Sequence, residues 1–328
     1  MGRETKDRMS DDWKQAKIAV TGASGFLGSA VVGALKTAGY QSISTPGHQE
    51  YDLTLDADAA RFYQATRPDA VIHLAALAGG IGANMRRPAD FFYHNAVMGL
   101  HVIEQARRAG VRKLVIIGTV CAYPKFTPAP FREEALWNGY PEETNAPYGL
   151  AKKMLLVQAQ AYRQQYGMNA IYLLPANLYG PRDNFDPETS HVIPALIRKC
   201  VEAARERSPE IVCWGTGAPS REFLYVDDAA EAIRLALERY DRPDPVNVGT
   251  GREVTIKALA ELIAKLTGFN GRVAWDAARP DGQPRRVLDT SKARQAFGFQ
   301  AKTSLEEGLQ RTIDWYRQSI GEGRGAGR

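Results

Sequence analysis

The chain has 328 residues, of which 44% are hydrophobic and 24% are charged, so it can bury a sizeable core as one large domain or two smaller ones. Its formal net charge is +5. Acidic and basic residues are intermixed, which argues against a nucleic-acid or membrane partner and suits an anionic small ligand. Its three cysteines are unclustered, which argues against a disulfide framework or a metal site and suits a reducing compartment.

The two ends of the chain carry no targeting signal that we can identify. No apolar stretch is long enough to span a bilayer, and the polar N-terminus lacks the apolar centre of a signal peptide. We therefore expect a cytoplasmic protein. Residues 1–16 and 321–328 are predicted to be disordered tails.

Short apolar runs alternate with helix-length amphipathic stretches over residues 17–180. The runs are KIAVTG, SIST, AVIHLAA, KLVIIGT and AIYLLPANL, and their richness in Val and Ile without alternation is typical of strands buried on both faces. Helical stretches such as 27–38 and 91–109 lie between them. This order predicts an α/β fold, a Rossmann-type doubly wound parallel sheet that binds NAD(P).

The pattern loosens over residues 181–320. Helices are predicted at HVIPALIRKCVEAARER, DDAAEAIRLALERY and TIKALAELIAKLTG and near 304–317, and short strands at EIVCWG, VNVG and RVAWD. We expect this part to be a smaller, mixed α/β region that mainly binds the substrate.

A glycine-rich stretch, VTGASGFLG, joins the first predicted strand to the first predicted helix. Gly22, Gly25 and Gly28 would permit a tight turn and let a pyrophosphate approach the backbone at the helix N-terminus. Because a lone glycine triplet also occurs in ordinary strand–helix turns, its place in the first unit is what predicts a dinucleotide site.

The residues after the second strand do not identify the dinucleotide. Neither the acid typical of NAD sites nor the arginine typical of NADP sites stands at the strand's tip. His48 or Ser24 could meet a phosphate. Asp52 could meet the adenine amino group or be an ordinary solvated acid. The residues leave NAD against NADP open.

A Tyr-x-x-x-Lys pair lies in the stretch NAPYGLAKK, in a predicted helix that Pro147 can start and Gly167 can end. Tyr148 and Lys152 would share one face of that helix. Such a pair also arises by chance on surfaces, and its weight comes from following a strand that ends in Thr119. We expect the lysine to lower the pKa of the phenol, so that the three residues serve proton transfer at a carbon–oxygen bond.

These features, with HLAA after a strand and Asn95 in the next helix, resemble the extended short-chain dehydrogenase/reductase superfamily. Within it the chain resembles the GDP-L-fucose synthase family, from about residue 17 to the last helix. The matching stretches are GGIGANMRRPADFFYHN, CAYPK, YGLAKK, NLYGPRDNFDP, SHVIPALIRK, VCWGTGAPSREFLYVDD and RPDGQPRRVLD.

The resemblance implies a reaction. That family epimerises C3 and C5 of GDP-4-keto-6-deoxy-mannose and then reduces C4 with NADPH. By position, Cys121 and His191 would be the acid–base pair, and Tyr148 would stabilise the C4 oxygen and later protonate it. Taken alone, Cys121 would more often be a packed hydrophobe, and His191 a satisfied polar residue at a helix start.

The resemblance also implies binding residues and a homodimer. Cofactor contacts would be Gly22, Ser24, Gly25, Phe26, Leu27, Gly28, Asp52, Leu53, Ala75, Ala76, Lys152, Pro175, Asn177, Leu178 and His191. Substrate contacts would be Asn177, Lys199, Trp214, Arg221 and Asp281. A lysine and an arginine suit a diphosphate. Trp214 could cover the base or be a core aromatic.

Two departures from the family pattern keep alternatives open. Thr119-Val120 stands where family members carry Ser-Ser, and Ser24 and His48 replace arginines of the bacterial form near the adenosine phosphate. NADP(H) is implied by resemblance and NAD(H) stays possible. The alternative is a related 4-epimerase that retains NAD, or a 4-keto reductase, acting on another NDP-hexose or heptose. The intact proton relay argues against a non-catalytic nucleotide sensor.

Overall fold

Strands and helices alternate through the computed structural model, which describes residues 13–279 and 281–321. The strands are β1 Lys17–Thr21, β2 Ser42–Ser44, β3 Ala70–His73, β4 Lys113–Ile117, β5 Ala170–Pro175, β6 Asn177–Tyr179, β7 Glu210–Trp214, β8 Ser220–Tyr225, β9 Val246–Val248, β10 Glu253–Thr255, β11 Arg272–Asp276 and β12 Arg285–Arg286. The α-helices are α1 Phe26–Thr37, α2 Asp56–Thr66, α3 Ile81–Arg86, α4 Pro88–Arg108, α5 Ala146–Tyr166, α6 Val192–Glu206, α7 Val226–Arg239, α8 Ile256–Thr267, α9 Ser291–Phe297 and α10 Leu305–Ser319.

The main sheet has six parallel strands in the order β2-β1-β3-β4-β5-β9. Every residue of β3 and β4 is buried, as expected for parallel strands covered on both faces. α1 packs against α7, and α4 packs against α2 and α5. The predicted doubly wound Rossmann-type sheet is confirmed.

A second, smaller part of the fold surrounds its own core. β8 pairs with β6, β10 and β12, while β7 and β11 form a separate parallel pair. α6, α8 and α10 pack together over these strands and bury apolar side chains that include Ile197, Ile263 and Ile313. The stretch SREFLY, which forms β8, was not predicted to be a strand.

The chain crosses between the two parts more often than the division at residue 180 implies. β6 already belongs to the smaller part, whereas α7 and β9 return to the main sheet. The two parts of the fold are therefore interleaved along the sequence.

The predicted tails lie mostly outside the described residues, namely at 1–12 and 322–328. At 13–16 the chain is packed, since Trp13 and Ala16 are buried. The Arg112 guanidinium lies 4.8 Å from the Trp13 ring. The folded chain thus begins at least four residues before the predicted boundary. Across the part of the chain that the structure describes, no helix is long and apolar enough to cross a membrane.

Candidate active site

The turn between β1 and α1 is a cradle that only glycine can line. Gly22 has φ +69°, and a Cβ on it would lie 2.7 Å from the Ala75 nitrogen. A Cβ on Gly28 would lie 2.0 Å from the Gly22 carbonyl oxygen. Since real Cβ atoms cannot approach so closely, these glycines let the turn close against the helix and the loop after β3.

The N-terminus of α1 presents unpaired backbone donors at this cradle. Its N-cap is Gly25, with no side-chain cap and no acidic residue in the first turn. Phe26 and Leu27, in that turn, are half-buried, and Ser24 beside them is exposed. Free N–H groups at a positive helix end suit a phosphate, so the residues present fit a dinucleotide.

The cradle lies at the point where the strand order reverses, between β1 and β3, which is the usual ligand crevice of such sheets. Ala75 and Ala76 follow β3, and Asn95 holds this loop by accepting from the Leu77 nitrogen at 3.1 Å and donating to the Leu77 oxygen at 2.9 Å. Pro175, Asn177 and Leu178 lie at the carboxyl end of β5 and in β6.

The segment after β2 contains the predicted adenosine contacts. Asp52 accepts from the nitrogen and the hydroxyl of Thr54 at 3.0 and 2.7 Å, and these bonds lower the pKa of its carboxyl. The charges of His48 and His94 act in the same direction. Leu53 is buried. The roles of Asp52, Leu53 and Ser24 toward a cofactor stay predictions.

Thr119 lies just after the end of β4 and contacts the first turn of α5. Its hydroxyl oxygen accepts from the Cys121 nitrogen at 3.2 Å, and the hydroxyl also hydrogen-bonds the phenol of Tyr148. A Cβ on Gly149 would lie 2.4 Å from the Cys121 carbonyl oxygen. Glycine at this position therefore lets α5 begin directly against the 119–122 turn.

The predicted helix of the Tyr-x-x-x-Lys pair is confirmed. Pro147 lies in the first turn of α5, and Gly167 is a left-handed C-cap with φ +68°. Lys152 is buried. Burial lowers the pKa of His73 at the end of β3, and the charge of Lys152 lowers it further. Lys152 thus lies close to the crevice between β1 and β3.

The expected effect of Lys152 on Tyr148 is wrong for this structure. Burial raises the pKa of Tyr148, the charge of Cys121 raises it further, and the Thr119 hydrogen bond opposes both. Burial also lowers the pKa of Lys152 to about 8. Desolvation sets the direction of this shift, so Tyr148 holds its proton at neutral pH and is suited to donate it.

Two arginines approach Cys121 from the smaller part of the fold. The Arg286 Nη1 atom donates to the Cys121 sulfur at 3.4 Å. β12 pairs with β8 so that Arg286 stands opposite Arg221. Burial and the charge of Arg286 lower the pKa of Arg221 to about 10, while Cys121 and nearby acids oppose this. The Arg221 guanidinium is therefore still cationic at neutral pH.

Arg286 is not among the site residues that we predicted from the sequence. It is the second arginine of the stretch RPDGQPRRVLD, which carried the family resemblance without a role for that residue. The two adjacent arginines in this stretch were the sequence feature that could have indicated a role for Arg286. Its position beside Cys121 depends on the pairing of β12 with β8, which local sequence does not encode.

His191 is the N-cap residue of α6. The loop before it packs on the glycine-rich loop 79–82, where the Gly80 nitrogen donates to the Thr189 oxygen at 2.9 Å. A Cβ on Gly80 would lie 2.5 Å from the Ser190 oxygen. His191 is exposed to solvent, and the loss of hydration against neighbouring protein lowers the pKa of its imidazole.

Two predicted substrate residues share one face of the β7–β11 pair. The Lys199 ammonium donates to the Val212 oxygen at 2.7 Å. Trp214, two residues further along β7, is 53% exposed, and the Arg279 guanidinium lies 4.9 Å from its ring. This exposure excludes the interpretation of Trp214 as a core aromatic, and the Arg279 guanidinium covers part of its ring.

Arg221 and Asp281 also lie together. The Arg221 guanidinium donates to the Ser220 oxygen at 2.7 Å and to the Asp281 backbone oxygen at 3.3 Å. The Asp281 carboxylate accepts from the nitrogen and hydroxyl of Thr216 at 2.7 and 2.8 Å. Asn177 donates to the Glu222 oxygen at 3.0 Å, from the strand beside Arg221. Asp281 thus positions the loop around Arg221.

A nucleotide cradle, a Thr-Tyr-Lys group and a cysteine beside two arginines define an NAD-dependent sugar-nucleotide epimerase or reductase. A sequence model of the NAD dependent epimerase/dehydratase family matches residues 18–249. "GDP-L-fucose synthase 1" of Arabidopsis thaliana is 46% identical over 312 residues, 95% of this chain and 96% of that protein. The chain belongs to the GDP-L-fucose synthase family.

Solved structures agree with this assignment. A GDP-L-fucose synthetase from Naegleria fowleri bound to NADP superposes with a TM-score of 0.85 at 28% identity, covering 93% of this chain and 95% of that one. A GDP-6-OMe-4-keto-L-xylo-heptose reductase from C. jejuni superposes with a TM-score of 0.88 at 29% identity, covering 93% and 99%. The chain is an NAD(P)-dependent epimerase/oxidoreductase.

Proposed function

We propose that this protein converts GDP-4-keto-6-deoxy-mannose to GDP-L-fucose, as a 3,5-epimerase and 4-reductase that uses NADP(H). The observation that carries the proposal is the environment of Cys121. A half-buried thiol stands between an arginine and the Thr119–Tyr148 hydrogen bond. A reductase needs only the hydroxyl groups, whereas an epimerase also needs a base for carbon.

The epimerisation follows from the ketone. A carbonyl at C4 acidifies the hydrogens on C3 and C5, so one base and one acid on opposite faces of the ring can invert either carbon. Cys121 takes the proton from carbon, and the C–H electron pair moves onto the C4 oxygen as an enolate. His191, at the entrance of α6, returns a proton to the other face.

Tyr148 serves both stages. Its hydroxyl and that of Thr119 hold the C4 oxygen while the enolate forms. In the second stage a bound dihydronicotinamide would supply the hydride that reduces C4. Tyr148 then gives its proton to the resulting alkoxide, and its raised pKa keeps that proton available at neutral pH.

The nucleotide and the diphosphate belong at the smaller part of the fold. Arg221 is a partly buried cation whose planar group suits two phosphate oxygens, and Lys199 adds a second charge. The exposed face of Trp214 suits the nucleobase. Asn177 and Asp281 hold the strand and loop that present Arg221.

The cofactor belongs in the glycine cradle. Gly22, Gly25 and Gly28 would accept the pyrophosphate, with Phe26 and Leu27 in the helix turn above it. The remaining contacts would be Ser24, Asp52, Leu53, Ala75, Ala76, Lys152, Pro175, Asn177, Leu178 and His191. The NADP-bound relative supports NADP(H). NAD(H) is the outcome that a titration with both dinucleotides would expose.

We also propose a cytoplasmic homodimer. α4 and α5 pack together and leave apolar side chains exposed, namely Phe92, Tyr93 and Leu100 on α4 and Val157 on α5. Such an apolar pair of helices suits a second copy of the chain. Sedimentation velocity at several protein concentrations measures the oligomeric state directly.

The test of the reaction uses GDP-4-keto-6-deoxy-mannose in heavy water, with and without NADPH. We expect deuterium at C3 and C5 in both conditions, and NADPH consumption only when the sugar is present. Reduction without deuterium at either carbon would indicate a simple ketoreductase. No turnover would exclude this substrate and point to another NDP-sugar.

A further inference from the structure

We propose that Gln283 and Arg286 form a relay that stabilises Cys121 in its reactive form, with Arg286 donating to the sulfur and Gln283 positioning Arg286. Cys121's use as the base rests on the proposed function, whereas the relay itself is a property of the folded chain. The relay adds two residues from the β12 segment to the reacting centre.

The relay is a closed chain of hydrogen bonds. The Gln283 amide nitrogen donates to the Lys125 oxygen at 2.6 Å, and its amide oxygen accepts from Arg286 Nε at 3.0 Å. Arg286 Nη1 then donates to the Cys121 sulfur at 3.4 Å. Because Lys125 lies four residues after Cys121, the relay begins and ends on the same loop.

Burial makes this geometry specific. Gln283 is 3% exposed and Arg286 is 8% exposed, so neither side chain can exchange its partner for water without a cost. Gln283 satisfies one side of the guanidinium and the 123–125 backbone at once. Arg286 therefore has one orientation, in which a donor faces the sulfur.

The charges around the sulfur favour an anion. Arg286 faces Cys121 from β12, and Arg221 interacts with it from β8. From α5 the facing titratable group is Tyr148, which stays protonated. The carboxylates of Glu142 and Asp281 also act on Arg221. A thiolate beside two guanidinium groups is stabilised as an ion pair.

The relay has a defined part in the reaction. The Cys121 thiolate accepts a proton from the carbon beside the ketone and becomes a thiol, while the C–H electron pair forms the enolate. No electron is exchanged, and the thiolate is regenerated when the thiol loses that proton to solvent. Arg286 and Gln283 keep their protons throughout and act by stabilising the thiolate that starts the step.

The test measures alkylation of each cysteine by iodoacetamide against pH, with peptide mass spectrometry and no substrate. In the native protein we expect Cys121 to be alkylated faster at pH 7 than free cysteine under the same conditions, because a cationic donor faces its sulfur. Cys200 and Cys213 are buried and should stay unmodified. A rate for Cys121 at or below that of free cysteine would overturn the proposal without any variant.

Variants then assign the effect to the relay. R286M removes the cationic donor beside the sulfur, so it should alkylate about tenfold slower at pH 7. R286K keeps the cation and should recover most of that loss. Q283L should lose about threefold, because Arg286 remains but is no longer held.

The matched control is R285M. Arg285 is the preceding arginine, 60% exposed, and it pairs with Glu253 away from the cleft, so its loss should leave Cys121 alkylation unchanged. Equal effects of R285M and R286M would overturn the relay. So would wild-type behaviour of R286M with Cys200 and Cys213 still unreactive. If those two cysteines react, the variant has unfolded. The alkylation rates of Cys121 in the native protein and in Q283L then decide whether the relay exists.

The same variants separate the relay from the proposed function. In heavy water, R286M should lower carbon deuteration about as much as it lowers alkylation at the same pH. A relay that controls alkylation in an enzyme that exchanges no deuterium would leave the relay standing and reject the assigned reaction. Deuteration that does not respond to R286M would overturn the relay's part in catalysis.

Discussion

Cys121 and the pair Cys200 and Cys213 occupy opposite kinds of environment in one chain. Cys200 and Cys213 lie in the core of the smaller part, and burial raises the pKa of Cys200 to about 12 and that of Cys213 above its usual range. Cys121 is half-buried at the end of a strand, with a guanidinium on its sulfur.

The difference teaches how a fold assigns roles to chemically identical side chains. Apolar burial disfavours the charged form and makes a thiol inert, whereas partial exposure beside cations favours the form that reacts.

Burial also disfavours the charged form of carboxylates, and their hydrogen bonds differ from one site to another. Glu222 is buried but accepts from the Gly251 and Leu288 nitrogens at 2.8 and 2.6 Å, while Asp183 is buried with one oxygen lacking any partner among the described residues.

The largest expected effect tests whether the Cys121 region is the reacting centre. Y148F removes the proton donor and should lower reduction by about 10³-fold, within the range of general acid catalysis. Phenylalanine keeps the edge contact with the Phe91 ring, whose centroid lies 6.3 Å away, so the melting temperature should not change. NADPH oxidation and thermal unfolding measure both. Retained reduction would move the centre elsewhere.

The next effect separates the cysteines directly. C121S should lower deuteration of C3 and C5 by about 10²-fold, because a hydroxyl is a far weaker base at neutral pH, while ketone reduction falls less. C213S is the matched control and should leave the ratio of the two reactions unchanged. Mass spectrometry of the product and NADPH oxidation give this ratio. Equal loss of both reactions in C121S would contradict its role as a dedicated base.

A third prediction extends the comparison of buried and partly exposed groups to the carboxylate of Asp183. Burial raises the pKa of Asp183 to about 7. The folded state therefore holds more protons than the unfolded state between about pH 4 and 7, so stability falls as pH rises through that window. D183N should be more stable than the native protein by roughly 3 kcal/mol at pH 8 and show no gain at pH 4.

Urea unfolding at the two pH values measures this difference. The matched control is D186N in the same loop. Asp186 accepts three hydrogen bonds, from Glu188 and Thr189, which lower its pKa. Its contribution is present above the usual carboxyl range and is lost in acid, so D186N should destabilise the fold at pH 8. A gain from D183N that is equal at both pH values would show that ionisation is not its cause.

The smallest effect concerns packing beneath Cys121. G149A places a Cβ against the Cys121 carbonyl and should cost about 1–3 kcal/mol as overpacking, with lower rates in both stages. G33A, inside α1 with nothing within 4 Å of the new Cβ, should stabilise by about 0.5–1 kcal/mol. Denaturant unfolding compares them. A neutral G149A would mean that α5 can shift without disturbing the thiol.

Much of the fold could be predicted from sequence because its signals are local. Parallel strands buried on both faces appear as unbroken apolar runs, and Pro147 and Gly167 mark the ends of α5. β8 was missed because SREFLY mixes charged and apolar residues. The return of β9 to the main sheet is likewise a matter of topology, which periodicity does not contain.

The site residues likewise divide into those that the sequence could predict and those whose position depends on the topology of the fold. Tyr148 and Lys152 could be paired because four residues make one helical turn, and Cys121 and His191 came from resemblance. Arg286 could not be placed, since 165 residues separate it from Cys121. The pKa of Tyr148 was predicted in the wrong direction because desolvation depends on packing that the sequence does not display.

The most direct test of this account is a competition among the three cysteines of the native protein. Limiting iodoacetamide at pH 7, followed by peptide mass spectrometry, measures which thiol reacts first. We predict that Cys121 is modified before any label appears on Cys200 or Cys213, which should react only after denaturation. Labelling of Cys200 or Cys213 at the rate of Cys121 in folded protein would contradict it.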